Sequence, residues 1–227
     1  MYNIHINDEQ LSVYSSKISD LILRASIEIE SLSKELYSKN GGIKTGHIKY
    51  DDEALDFLIK KWSLDKKVVL ISSVNCFQTN KTLMPFVKNE KRTGKTIETF
   101  SWNNSYQNIK HDRVNSLKFG SIKYLFDVLS VLYVLTLYYS DKIIPLEKDS
   151  IGISFSPNAG SDIFSVMVSR YIGFDQKGAY IENEDFEKSI YYINATEETK
   201  KVYIESGLKF NDKVHEFALQ NSKLQEY

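Results

Sequence analysis

The most apolar stretch of the chain is LFDVLSVLYVLTLYY, residues 125–139. Asp127, Ser130 and Thr136 interrupt it, and it is shorter than the roughly 20 apolar residues that a bilayer core requires. It therefore predicts a buried helix from Ser121 to Tyr139 at the centre of a helical core, in a protein without a membrane span.

The segment before this helix, WNNSYQNIKHDR at residues 102–113, holds the densest cluster of chemically capable side chains. A helix is expected to begin near Thr99, and helical spacing places Arg113 on its apolar face. A charge on that face needs an acidic partner, for which Glu28 and Glu30 are the candidates. The apolar face comprises Trp102, Tyr106, Ile109, Arg113 and Leu117, and a more polar face comprises Asn104, Asn108, His111 and Asn115.

Two earlier helices are predicted from the pattern of apolar residues. The first covers residues 10–38, where apolar side chains recur with the 3.6-residue period, and the NGG at residues 40–42 ends it. The second covers Asp51–Trp62, with acidic residues in its first turn. Arg24 and Glu28 are four residues apart, so they form either a surface ion pair or an arrangement in which Glu28 turns inward to hold a basic partner.

Strand signals fall in the central loop and in the C-terminal part. Residues 68–72 form a β-branched run, and residues 73–98 predict a loop or loose hairpin with a basic tip. Residues 151–156 and 163–168 flank a turn signal and predict a second hairpin. Further predicted elements are a strand at Ala179–Ile181 that adds to this hairpin and a final helix from Asn194.

These elements predict a mainly α fold, a helical bundle with a small β hairpin or sheet elaboration in the loop and C-terminal parts. At 227 residues we expect a single domain, 1–227. Residues 10–145 would form the helical core, and residues 146–227 the strand-like elaboration with its C-terminal helix.

Charge and composition restrict the function. The net charge is −1, but the charges are unevenly distributed. The segment from Lys81 to Lys123 contains nine basic and three acidic residues, and the segment from Asp175 to Glu198 contains seven acidic and two basic residues. Such asymmetry is compatible with an anion site in the basic segment or with two solvated faces. The single Cys76 and the absence of a signal-peptide pattern indicate a cytoplasmic protein.

Standard cofactor motifs are missing from the sequence. It has no glycine-rich dinucleotide or phosphate loop, no GxSxG elbow, and four widely separated His with one Cys, which argues against zinc. We expect no cofactor and no metal.

Lys110, His111 and Arg113 form the smallest set that metal-independent RNA cleavage requires. A histidine transfers protons near neutral pH, and cations stabilise the charge that develops on a phosphate. The competing interpretation is a solvated helix face with no catalytic role.

The segment also resembles a W-x-x-Y-N-x-x-K-H-x-R signature that many bacterial helical proteins carry before a long apolar helix. These proteins resemble the HEPN superfamily of all-helical domains, which is named for higher eukaryotes and prokaryotes nucleotide-binding. The stretch Arg24–Glu30 is similar to that family's leading helix, and the resemblance covers roughly residues 10–140. It implies an RNA-cleaving or RNA-binding protein of phage defence or stress response, and a homodimer. Many ribonucleolytic members carry an Arg before the His, whereas Arg113 follows it here, so RNA binding without cleavage stays open.

Two functional hypotheses follow. In the first, an endoribonuclease or RNA-binding protein, the catalytic residues are His111, Arg113, Lys110, Tyr106 and Glu28, with Glu28 orienting Arg113. In the second, the same residues form a structural network in a non-catalytic scaffold that binds a protein partner. Contacts to nucleic acid are expected from Lys88, Lys91, Arg92, Lys95, Lys110, Asn104 and Asn108.

Overall fold

The computed structural model describes residues 6–43, 46–71, 79, 82–139, 154–156, 161–170 and 190–192. This part of the chain is mainly α-helical with a small β component, which confirms the predicted fold class. Its α-helices are α1 (Ser16–Lys39), α2 (Asp56–Trp62), α3 (Ser101–His111) and α4 (Ile122–Tyr139).

Helix α1 begins later than the sequence suggests. A separate 3₁₀ turn occupies Asp8–Ser12, and the side chain of Ser15 then accepts a hydrogen bond of 3.1 Å from the Ile18 amide. This cap satisfies one of the amides that a helix N-terminus leaves free. The helix ends at Lys39 with Asn40 as its C-cap, and Gly41 follows with a φ of 91°, a conformation that favours glycine.

The second predicted helix is confirmed, in two parts. A π-helical segment at Tyr50–Leu55 continues directly into α2. Leu55 of the π-helical segment and Leu58 and Trp62 of α2 are buried in the main core.

Helix α4 lies at the centre of the core, as predicted. Val128, Val131, Val134 and Leu135 are fully buried there, and burying each such side chain stabilises the fold by about 1.5–3 kcal/mol. The helix packs against α1 and α3. Its length and composition would also allow it to cross a membrane, but half of the helix is buried inside the protein. A buried core helix meets the same criteria of length and composition.

The strands form one hairpin and one small sheet. Strands β3 and β4 pair antiparallel, so the hairpin, one of the two structures predicted for residues 73–98, is present, but its second strand extends to Phe100. The sheet has the order β2-β1-β6-β5, and β7 runs parallel to β6. The strands are β1 (Val69–Ile71), β2 (Thr82–Leu83), β3 (Lys88–Lys91), β4 (Glu98–Phe100), β5 (Ser154–Ser156), β6 (Phe164–Arg170) and β7 (Ile190–Tyr192).

The C-terminal strands join the first part of the chain. Strand β6 pairs antiparallel with both β5 and β1, and Phe164 and Val166 are buried in the same core as the helices. The hairpin predicted from residues 151–156 and 163–168 is therefore confirmed. The predicted strand Ala179–Ile181 and the helix from Asn194 lie outside the described residues.

Helix α3 is shorter than predicted. It ends at His111, and Asp112 leaves the helical region with φ −150° and ψ 72°. The Asp112 carboxylate accepts hydrogen bonds from the amide and the side chain of Asn115, a local turn that competes with helix continuation. The predicted apolar face that extended to Arg113 and Leu117 is therefore wrong beyond Ile109.

The loop after α3 packs tightly against the start of α1. Gly120 approaches Ser19 so closely that a β-carbon at position 120 would lie 2.0 Å from the Ser19 hydroxyl. The Gly120 carbonyl accepts a hydrogen bond of 3.2 Å from the Ser15 amide. This close approach at Gly120 fixes the end of α3 relative to α1.

Candidate nucleic-acid interface

The tip of the β3–β4 hairpin is hydrogen-bonded to α3. The side-chain oxygen of Asn104 accepts a bond of 3.1 Å from the Thr93 amide and one of 3.3 Å from the Thr93 hydroxyl. The Asn108 side-chain nitrogen donates to the Thr93 hydroxyl at 2.9 Å. We call these three residues the hairpin latch, because they hold the tip against one face of the helix.

A carboxylate in β3 extends this attachment to α4. Glu90 accepts from the Asn104 side-chain nitrogen at 3.1 Å and from Lys123 Nζ at 3.0 Å. The Tyr124 hydroxyl lies 3.3 Å from both Glu90 oxygens, and burial followed by the Glu90 charge raises the pKa of that hydroxyl above its ordinary range. The hairpin is thus joined to both helices, which gives its tip a defined position.

The cations predicted to bind nucleic acid divide into two groups. Lys91, Arg92 and Lys95 lie around the turn of the hairpin, and we call them the basic tip. Lys91 and Lys95 are exposed and Arg92 is half-buried. Lys88 lies at the base instead, where its Nζ is 3.3 Å from an Asp56 oxygen of α2 and 5.3 Å from the centre of the Phe100 ring.

The predicted role of the two asparagines differs from what the structure shows. Asn104 is 5% exposed and Asn108 is half-buried, and both are engaged in the hairpin latch. Their position on α3 is as predicted, but their amides hold the hairpin rather than facing solvent for a ligand.

His111 lies on the same side of α3 as the latch. Asn104, Asn108 and His111 succeed one another at intervals of four and three residues, so they follow one helix face. The imidazole is exposed and stands one turn beyond Asn108, about 4.5 Å further along the helix axis. The hairpin tip and the histidine therefore lie along the same face of α3.

Lys110 and Tyr106 form a pair beside this histidine. Lys110 is exposed, and its Nζ lies 5.1 Å from the centre of the Tyr106 ring. Tyr106 itself is 4% exposed and belongs to the core. The buried ring of Tyr106 anchors the last turn of α3. Lys110, whose charge lies over this ring, directly precedes His111 in the sequence.

The predicted partner of Arg113 is wrong. Its Nη2 lies 2.9 Å from Asp20 Oδ1 and donates to the Ser16 carbonyl at 3.0 Å, so the pair joins the loop after α3 to the start of α1. Glu28 is exposed, and Glu30 pairs with Lys34 at 2.7 Å. Asp20 lies two helical turns before Glu28, and no sequence rule distinguished it, because the partners are far apart in the chain.

A buried polar layer supports the other side of α3. The Tyr50 hydroxyl donates to Asn103 Oδ1 at 2.8 Å, and the Gln107 amide donates to that hydroxyl at 3.3 Å. Burial, then the charge of Asp51, raises the pKa of Tyr50. These bonds fix the rotation of α3 about its axis, which decides where His111 points.

Sequence reasoning also missed a buried carboxyl of α4 that lies beside the first residue of α3. The Ser101 hydroxyl donates to Asp127 Oδ2 at 2.6 Å, and Asp127 is 8% exposed. The only signal in the sequence was an acidic residue inside an apolar helix.

The surface therefore combines exposed cations with an imidazole that can exchange a proton. Among the described residues, no group of three or more His, Cys, Asp or Glu side chains is arranged to hold a metal ion. Comparison with known proteins gave no matching family model, no matching curated protein and no matching solved structure.

Proposed function

We propose that the chain binds RNA on the surface formed by the basic tip and the C-terminal end of α3, and that His111 makes this surface a metal-independent endoribonuclease. The observation that supports this best is the exposed imidazole on the helix face to which the hairpin latch holds the basic tip. A phosphate chain crossing the tip would pass the histidine.

The chemistry would follow from the side chains at hand. His111 takes the proton of a ribose 2′-hydroxyl, and the 2′ oxygen attacks the adjacent phosphorus. The bond to the 5′ oxygen breaks, a proton returns to that oxygen, and a 2′,3′-cyclic phosphate remains. Lys110 and the basic tip offset the negative charge that develops on the phosphate.

The resemblance to the HEPN superfamily supports the same proposal. The residues that carry it are Trp102, Tyr106, Lys110 and His111, and α3 and α4 stand in the order that the resemblance implies. This resemblance extends the proposal to a homodimer that acts in bacterial defence or stress response. Sedimentation of the purified protein would measure whether it is a dimer.

Binding is tested with a labelled RNA at several salt concentrations. Replacing Lys91 and Lys95 together by Ala should weaken binding and reduce its salt dependence, because each phosphate contact on a single strand contributes about 0.7 to the slope. Lys49→Ala with Lys60→Ala removes two exposed lysines elsewhere and is the matched control. Equal losses in both double variants would refute a specific surface.

Cleavage is tested with His111→Ala, and His47→Ala serves as the control because His47 is also exposed. We expect His111→Ala to abolish cleavage and cell toxicity, with a melting temperature within a few degrees of wild type. Cyclic phosphate ends on the products, formed in the presence of a chelator, would support the mechanism. Unchanged cleavage by His111→Ala would refute it.

The ion pair of Arg113 favours a second candidate, a non-catalytic interaction module. Its guanidinium is engaged with Asp20 and Ser16 and joins two elements, which is a structural role. This candidate predicts that the purified protein never degrades RNA and that substitutions around His111 change stability alone.

A further inference from the structure

An exposed aromatic ring lies close to the proposed RNA surface. Tyr14 is 53% exposed, although the backbone on both sides of it is hydrogen-bonded to the loop before α4. Its backbone pairs with Ser121, while the Ile122 amide donates to the Val13 carbonyl at 2.9 Å. The ring is therefore presented to solvent by a rigid backbone.

The contacts of Arg113 join the loop that follows His111 to the segment that follows Tyr14. Arg113 Nη2 donates to the Ser16 carbonyl at 3.0 Å. Tyr14 is two residues from Ser16, and His111 is two residues from Arg113, so each of these gaps spans at most about 7 Å of extended chain, in addition to the length of the arginine side chain. A few nucleotides of a single strand could reach from one side chain to the other.

The charge of this region favours a polyanion over a second copy of the chain. Residues 13–24 and 110–123 contain six basic and two acidic residues, an excess of four positive charges. Exposed Val13, Val114 and Leu117 add apolar area. A two-fold contact through this surface would place two basic regions against each other, and like charges repel, so the proposed homodimer would use another face.

We propose that Tyr14 is a stacking platform for an unpaired nucleobase, and that the ligand is single-stranded RNA. This rests on the proposed function, because the basic tip would bind the phosphates of the same strand. Unpaired bases stack on exposed aromatic side chains, whereas bases within a duplex are already stacked. The cations supply affinity for any polyanion, and Tyr14 supplies the preference for unpaired bases.

The test compares wild type with Tyr14→Ala and Tyr14→Trp by fluorescence anisotropy on three probes of equal length. The probes are a single-stranded RNA, a duplex RNA, and an abasic ribose-phosphate oligomer. We expect Tyr14→Ala to lose about tenfold in affinity for the single strand, to bind the other two probes unchanged, and to keep the salt slope. Tyr14→Trp should retain the affinity. Tyr139→Ala, at an exposed tyrosine near the other end of α1, should have no effect.

Three results would overturn the proposal. If wild type binds RNA but Tyr14→Ala binds the single strand as well as wild type does, the platform is refuted while the proposed function stands. If wild type binds none of the probes, both fail together. If Tyr14→Ala changes the sedimentation mass instead of the affinity, the ring belongs to a protein interface.

Discussion

Replacing Asp127 by Asn should remove a penalty that the native protein carries at neutral pH. The carboxyl is buried in the apolar helix α4, and burial raises its pKa from the ordinary 3.8 to about 6, although the Ser101 hydrogen bond and the charge of Lys123 act in the opposite direction. Glu90 adds a smaller increase. An Asn at this position keeps an oxygen that can accept from Ser101, but it has no proton to lose.

The sign and size follow from the two pKa values. Because the folded-state pKa lies above the unfolded one, the folded state binds the proton more tightly, and its contribution to stability is fully present below about pH 4 and lost as the pH rises through about 6. The two values differ by roughly two, and each pKa unit corresponds to about 1.4 kcal/mol, so the loss is at most about 3 kcal/mol. The Asn variant does not undergo this loss.

Urea unfolding followed by circular dichroism, from about pH 4 to about pH 8, measures the effect. The free energy of unfolding of Asp127→Asn minus that of wild type should rise with pH by up to about 3 kcal/mol. Asp65→Asn, at an exposed site, should show no comparable trend. A difference that stays constant across this range would refute the argument, because the buried carboxyl would then titrate as an ordinary one.

Three further substitutions test the geometry. Thr93→Val removes the two hydrogen bonds of the Thr93 hydroxyl but keeps the bond from its amide to Asn104, so it should cost about 0.5–1.5 kcal/mol. Amide exchange in β3 and β4 should become faster by mass spectrometry, and unchanged exchange would contradict the latch. Gly120→Ala should destabilise by about 1–3 kcal/mol because its β-carbon meets Ser19, and adding Ser19→Ala should recover part of the loss in a thermal melt; no recovery would show that the contact is not the cause. Arg113→Ala should cost no more than about 1 kcal/mol in urea unfolding, because the ion pair with Asp20 is largely exposed, and a larger loss would assign the arginine a greater structural role.

Much of the helical architecture could be predicted from the sequence because apolar periodicity is a local signal. Helix α4 begins one residue from its predicted start and is described as far as Tyr139. The end of α3 was not predictable in this way. The spacing of Ile109 and Arg113 suits a longer helix, but the side chain of Asp112 bonds to Asn115 and offers the backbone a turn instead.

Long-range pairings were the other feature that the sequence could not specify. The predicted partners of Arg113 came from helical spacing, which orders residues along one helix but does not say which turn of α1 lies beside the loop after α3. That register depends on close packing at Gly120, where Ser19 occupies the space of a β-carbon. Likewise, β1 and β6 lie far apart in the chain, so the sequence does not reveal their pairing, which depends on burial of Phe164 and Val166.

The hairpin latch connects the stability of the fold to the proposed function. Asn104 and Asn108 looked like ligand-binding residues because amides on a polar helix face often contact phosphates, yet they bind Thr93. If they instead contacted RNA, the basic tip would lack this attachment to α3, and its cations would have no fixed relation to His111.

The electrostatic contribution to RNA binding does not depend on a precise position, since charges act over several ångströms. Proton transfer does, since it requires hydrogen-bond distance. Weakening the latch should therefore reduce cleavage more than it reduces RNA affinity, and single-turnover kinetics of Thr93→Val beside its binding curve would measure this difference.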